Sequence, residues 1–183
     1  MNWLHTILIL TVAFLAVFGQ ATFNGVRHLI GAQVDLLPSL IVYASLSSGL
    51  TTLALLAVCG GLWLDSVSAN PLGISVLPLF VVGLLINHFR GLILREQRFA
   101  QVVLGMAASA AVPVLTLLLL INTGNKPLIG WFSLWQWLVM SLAGGAVTPL
   151  WFRFFDWIVG ALSYQSLGET SFRSDREIKR GRS

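Results

Sequence analysis

The chain has 183 residues, of which 56% are hydrophobic and only 10% charged, against about 25% charged in a soluble globular domain. With a mean hydropathy of +0.84, it has too few polar side chains to cover a soluble surface. This composition excludes a soluble enzyme, a nucleic-acid-binding domain and a disordered chain, and it predicts an integral membrane protein. The net charge of +4 is therefore interpreted as a signal of membrane topology.

Long stretches of the chain are almost free of charge. Asp65 is the only charged residue from Leu36 to Phe89, and Lys126 is the only one from Phe99 to Phe152. Backbone groups in hydrocarbon must be paired within helices or within a closed barrel. Barrel strands alternate polar and apolar residues, and the run 112–121 does not alternate. The predicted fold class is therefore all-α, a polytopic membrane helix bundle.

A spanning helix needs about 20 apolar residues, so one transmembrane domain over residues 1–162 has room for six spans. In chain order the predicted spans are 3–18, 36–46, 50–64, 72–86, 102–121 and 131–152. The first is predicted to be a retained helix rather than a cleaved signal peptide, because no basic residue precedes it.

The stretch Leu36–Leu64 allows two interpretations. It contains Ser47, Ser48 and Gly49 near its middle, so it forms either two short helices or one long helix. Two short helices would need tilt, a thinned bilayer or protection by neighbouring helices. The parity of the topology depends on this choice.

The connections carry most of the polar residues. Gly19–Asp35 is predicted to be an extramembrane loop, and Phe89–Gln101 a basic loop. Asn70 and Pro71 predict a helix start, since asparagine caps helices and proline suits the first helical position. Residues 163–183 are predicted to form a mobile, polar, basic tail that either contacts anionic lipid or is simply solvated.

Basic residues predict the orientation. In a six-span arrangement nine of them lie on the side of the N-terminus: Arg90, Arg95, Arg98, Arg153, Arg173, Arg176, Lys179, Arg180 and Arg182. Only Arg27 and Lys126 lie on the other side. The positive-inside rule then places both termini in the cytoplasm. A five-span arrangement moves Arg27 inside and the N-terminus outside, and the charge count barely separates the two.

The sequence contains no catalytic, cofactor-binding or metal-binding pattern. The three histidines are scattered, and the single cysteine, Cys59, is interpreted as an inert, packed thiol. Asp65 is either a functional carboxylate in the membrane or a carboxylate at the interface that bonds the following turn. The second interpretation is favoured because Asp65 ends a span beside Ser66 and Ser68.

Small residues inside the spans predict close helix contacts or contacts with a partner helix. The main candidates are Gly60, Gly61, Gly144 and Gly145. After the last span, Arg153 and Asp156 have helical i, i+3 spacing and are predicted to pair in one polar stripe.

The segment Gly61–Gly73 resembles the central signature of the bacterial rod shape-determining protein MreD family. Its elements are an apolar helix end, Asp65, a short turn with Asn70, and then Pro71, Leu72 and Gly73 opening the next helix. Leu36–Leu40, the basic loop after the fourth span and the close of the last span at Pro149 are also similar to this family. The resemblance covers roughly residues 1–162.

The resemblance implies a non-enzymatic component of the cell-elongation machinery in the bacterial inner membrane. Such proteins bind MreC, a bitopic protein with one membrane helix, and support peptidoglycan synthesis and rod shape. They work beside the MreB filament, the glycosyltransferase RodA and a penicillin-binding transpeptidase. The implied bundle is similar to the substrate-binding subunits of energy-coupling-factor transporters.

That similarity supplies the alternative function, a vitamin-type transport subunit. It would need several polar groups converging on an outer cavity, and Asn24, Gln33 and Asn122 are the few candidates. A third class, an intramembrane enzyme, would have to use Asp65 or His88 without an evident partner.

Overall fold

The computed structural model describes residues 3–22, 34–68, 70–91, 97–124 and 130–167, with backbone alone for 132 and 162–167. Six helices and no strand occur within these ranges. They are α1 Trp3–Thr22, α2 Leu37–Ser47, α3 Leu50–Val67, α4 Val76–Phe89, α5 Arg98–Asn122 and α6 Trp131–Leu167. The prediction of an all-α membrane protein is confirmed.

Four of these helices are long and apolar enough to cross a membrane: α1, α3, α5 and the part of α6 from Ser133 to Ala161. Helices α2 and α4 are apolar but have only 11 and 14 residues. At 1.5 Å per residue they extend about 16 and 21 Å, short of the roughly 30 Å of a hydrocarbon core.

Helix α2 lies in the core of the bundle. It contacts α1, α3, α4 and α5, and every residue from Leu37 to Leu46 is buried. Protein therefore surrounds this short helix, so its terminal backbone groups need not face lipid, and this is the condition under which a short membrane segment is tolerated.

The stretch 36–64 forms two helices, as one of the two interpretations predicted. Ser48 and Gly49 have extended backbone conformations and separate α2 from α3. The Ser48 N–H still donates to the Ala44 carbonyl at 2.9 Å, so the break leaves the last turn of α2 closed.

The predicted start of the fourth helix at Asn70 and Pro71 is wrong. Residues 71–75 form a turn, and α4 begins at Val76. Gly73 has a φ of +90°, which no right-handed helix accommodates, and the Ile74 N–H donates to the Pro71 carbonyl at 3.3 Å. Proline thus opens a turn here rather than a helix.

All six described helices run past their predicted ends, and α5 also begins four residues early, at Arg98. Helix α1 continues to Thr22 inside the predicted outer loop, α3 continues to Val67, and α6 continues to Leu167 inside the predicted tail. Hydropathy marks where a helix leaves hydrocarbon, whereas a helix ends only where its backbone bonds end. The rest of that loop, 23–33, and of that tail, 168–183, lies outside the described residues.

The chain divides into two compact units between Trp151 and Phe152. The first unit holds α1 to α5 and the first part of α6. The second begins with the remainder of α6, where Arg153 and Asp156 are both exposed. The division comes before the predicted end of the bundle at 162.

Candidate functional site

Asp65 lies in the last turn of α3 and is almost completely buried, with 2% of its surface exposed. Its Oδ2 accepts hydrogen bonds from the Gly73 N–H at 2.8 Å and from the Ser75 N–H at 3.1 Å. Hydrogen bonds to a charged acceptor are roughly twice as strong as neutral ones. The side chain therefore ties the end of α3 to the start of α4, which is the interaction with the following turn that the sequence favoured.

The residues between these two helices suit this arrangement. Pro71 lacks an N–H, and Gly73 supplies the positive φ of the turn in which the N–H groups of Gly73 and Ser75 both point to the carboxylate. The Asn70 N–H donates to Ser68 Oγ at 3.1 Å. Leu72 contributes no such bond, and its side chain is 72% exposed at this end of the bundle.

The other oxygen of Asp65, Oδ1, is buried and has no hydrogen-bond partner. A buried acceptor without a donor costs about 1–3 kcal/mol. The Asp65 carboxylate therefore retains one unused acceptor beside the turn.

Gly60 and Gly61 lie where α3 meets its neighbours. A Cβ added at Gly61 would lie 2.8 Å from the Cα of Val76, the first residue of α4. A Cβ at Gly60 would lie 3.0 Å from a methyl group of Leu37, the first residue of α2. These two positions therefore serve contacts inside the bundle.

Helices α5 and α6 cross through a second set of small residues, which we call the glycine seam: Gly105, Ser109, Gly144, Gly145 and Thr148. A Cβ at Gly105 would lie 2.6 Å from the Gly144 carbonyl oxygen, and one at Gly144 would overlap the side chain of Ser109. A Cβ at Gly145 would lie 2.5 Å from Met106 Cγ.

Hydroxyl groups add polar contacts to the glycine seam. The Gly144 carbonyl accepts from Thr148 Oγ1 at 2.7 Å and from Ser39 Oγ of α2 at 3.3 Å. Pro149 follows in α6, half-buried, and because it lacks an N–H the Gly145 carbonyl loses its usual helical donor. The seam therefore joins α2, α5 and α6.

A polar cluster that sequence reasoning missed lies where α1 begins and α2 ends. His5 Nε2 and the Tyr43 hydroxyl are 3.2 Å apart, and His5 Nδ1 and Ser48 Oγ are 3.4 Å apart. Thr6 and Thr52 share a buried hydrogen bond of 2.9 Å. These residues are separated by about 40 positions in the chain, so no local pattern announces the cluster.

Two more buried polar groups lie where α1 ends and α2 begins. The Leu36 N–H donates to Gln20 Oε1 at 3.4 Å, while Gln20 Nε2 and Asp35 Oδ1 are buried without hydrogen-bond partners. Burial raises the pKa of Asp35 from 3.8 to about 6, because a charged carboxylate is poorly solvated there. Of the three polar residues predicted as candidates for a ligand cavity, Asn24 and Gln33 lie outside the described residues, and Asn122 is the last residue of α5.

Among the described residues, no three His, Cys, Asp or Glu side chains come close enough to hold a metal ion. His88 and Asn87 lie at the end of α4, where Asn87 Oδ1 accepts from Arg90 at 3.4 Å.

Comparisons with protein-family models, with curated proteins and with solved structures found no match to the chain.

Proposed function

We propose that this protein is a non-enzymatic scaffold of the bacterial elongation machinery, of the MreD kind, that binds the membrane helix of MreC. In this role it supports peptidoglycan synthesis and rod shape, in a larger assembly with MreB, RodA and a penicillin-binding transpeptidase. The observation that carries the proposal is the segment Gly61–Gly73, whose residues resemble the family signature.

The geometry of this segment supports the proposal by giving each signature residue a physical task. Asp65 bonds the backbone of Gly73 and Ser75, Pro71 opens the turn, and Gly73 supplies its positive φ. Residues that together form one connection between two helices are a more specific family signature than any one of them alone. It fixes the outer end of α3 against α4.

We further propose six spans in the inner membrane, with both termini in the cytoplasm. The two-helix form of residues 36–64 supports the even count, and the burial of α2 supports a short crossing shielded by protein. Nine basic residues then lie on the cytoplasmic side.

The test is co-purification. The chain is co-expressed with full-length MreC and with an MreC whose membrane helix is replaced by an unrelated one. The proposal expects full-length MreC to remain bound in mild detergent and the swapped version to be lost. Absence of binding by either version, with both proteins monodisperse, would contradict it.

A second candidate is the substrate-binding subunit of a vitamin-type energy-coupling-factor transporter. The observation that favours it is the pair of buried, unpartnered polar atoms on Gln20 and Asp35, which is what a polar ligand would bond. Thermal stabilisation of the purified chain by one member of a vitamin library would support this candidate, and a uniform melting temperature across the library would exclude it.

A further inference from the structure

The last helix is longer than one membrane crossing. Helix α6 has 37 residues and extends about 55 Å, against roughly 30 Å of hydrocarbon. The stretch from Trp131 to Phe152 carries no charge and accounts for about 33 Å of this length. Arg153 and Asp156 follow, both exposed, and charged side chains are costly in hydrocarbon. The crossing therefore ends near Phe152, and residues 153–167, which we call the arm, lie beyond it.

The exposed side chains of the arm form two adjoining stripes. One stripe is polar and consists of Arg153, Asp156 and Gly160. The other is apolar and consists of Phe154, Trp157 and Ala161. At 3.6 residues per turn each stripe covers about 60° of the helix circumference, and the centres of the two stripes are about 100° apart. The side opposite the apolar stripe holds Phe155, which is fully buried.

Water is a poor environment for the apolar stripe, in which 71% of Trp157 and 41% of Phe154 are exposed. A straight arm would carry these rings up to about 22 Å away from the hydrocarbon. Helices bend at proline, and Pro149 precedes the arm by four residues, so α6 can change direction there. A helix that lies in the membrane interface buries its apolar side about 5–10 Å deep, which brings a neighbouring polar stripe to the level of the headgroups.

We propose that the arm binds the lipid surface where the last crossing ends, with its apolar stripe at the boundary of the acyl chains and its polar stripe among the headgroups. Tryptophan favours this interface, and Arg153 can pair there with a lipid phosphate. Because Asp156 balances the charge of Arg153, the binding depends on burial of the aromatic rings and needs no anionic lipid. The leaflet is the cytoplasmic one, a detail that rests on the topology given with the proposed function.

The test measures how oxygen and a water-soluble nickel complex reach spin labels on single cysteines, in a Cys59→Ala background and in phosphatidylcholine nanodiscs. Oxygen concentrates in the acyl region, whereas the nickel complex stays in water. The ratio of oxygen to nickel access is expected to be higher at Phe154→Cys, Trp157→Cys and Ala161→Cys than at Asp156→Cys and Gly160→Cys. Leu142→Cys, exposed within the crossing, is the hydrocarbon reference. Phe154→Cys and Ala161→Cys keep the Trp157 anchor, so the pattern does not depend on removing it.

Three other patterns would overturn the proposal. Nickel access at all five positions would mean that the arm projects into water. Oxygen without nickel at all five, as at Leu142→Cys, would place the arm inside the hydrocarbon. Exclusion of both reagents from the apolar stripe would mean that protein covers it. Adding full-length MreC should leave the pattern unchanged, and loss of oxygen access at 154 and 157 on its addition would assign the stripe to the partner instead of lipid. Since the first measurement needs no partner, its failure leaves the scaffold standing, and failure of the co-purification leaves the arm on the lipid surface.

Discussion

At the scale of single residues, Asp65 does more to shape the chain than its place in an apolar run suggests. Its carboxylate accepts hydrogen bonds from two backbone N–H groups of the next turn, and only 2% of the residue's surface is exposed. A carboxylate costs much to bury unless such bonds compensate it. The α3–α4 connection therefore depends on this one side chain.

We expect Asp65→Ala to lower the free energy of unfolding by about 2–4 kcal/mol, because two charge-assisted bonds are lost and two backbone donors are left without a partner. Asp65→Asn, which keeps one acceptor oxygen, should cost less. The measurement is thermal or detergent-induced unfolding of the purified chain. Asp156→Asn is the control, since that carboxylate is exposed, and it should change little. An unfolding curve of Asp65→Ala that overlays the wild type would refute this role.

Asp35 makes the stability of the protein depend on pH, and substituting this residue measures its contribution separately. Its pKa is raised from 3.8 to about 6 by burial, so the folded state binds the proton more tightly than the unfolded state does. The contribution of Asp35 is therefore most favourable below pH 4 and is lost as the pH rises through about 6. Asp35→Asn should raise the melting temperature at pH 7.5 and flatten its change between pH 4 and 7. A melting temperature that changes more steeply with pH in the variant than in the wild type would contradict the predicted direction of this effect.

At the scale of helices, the glycine seam sets how closely α5 and α6 approach. Gly144 faces Ser109 and has no room for a side chain, whereas Gly160, further along the same helix, has open space around its Cβ position. Because the two glycines lie in the same helix and differ in how closely their surroundings pack, they form a matched pair for testing the glycine seam.

Gly144→Ala is expected to destabilise the bundle by about 1–3 kcal/mol, the usual cost of overpacking. Gly160→Ala should be neutral or slightly stabilising, since alanine is the better helix former by about 1 kcal/mol. Melting temperatures of the two variants in one detergent decide the matter. Similar shifts in both would mean that the crossing is not tightly packed.

The sequence predicted that these segments form helices, but it did not predict where the helices end or which distant residues come into contact. Uncharged runs require helices in lipid, and Ser47, Ser48 and Gly49 marked a possible break. The start of α4 was misplaced because Pro71 suits both a helix and a turn, and only the bonds from Gly73 and Ser75 to Asp65 select the turn. The pairing of residues across the glycine seam depends on the register of α5 against α6, which no local pattern encodes.

At the scale of the whole molecule, the number of membrane crossings is decided by where Gly49 lies relative to the membrane. In the six-span arrangement this exposed glycine lies at the cytoplasmic end of α2 and α3, and Leu72 lies at the outer end of the bundle. In the five-span arrangement residues 36–64 cross once, and Gly49 lies within the membrane. The two arrangements therefore differ in the accessibility of one residue.

We predict that, in a Cys59→Ala background, a membrane-impermeant maleimide labels Leu72→Cys in intact spheroplasts and labels Gly49→Cys only after the membrane is permeabilised. Cys59 is the only native cysteine, so the background removes competing thiols. Gly49→Cys that stays unlabelled under both conditions would favour five spans. Labelling of Gly49→Cys from outside would reverse the orientation.

The scaffold proposal requires a surface that holds another helix rather than a chamber that holds cargo. Its most direct test is binding to the chain in lipid nanodiscs, with full-length MreC and a vitamin library measured on the same preparation. The account predicts saturable binding of MreC and no vitamin that raises the melting temperature. A preparation that binds a vitamin and ignores MreC would contradict it.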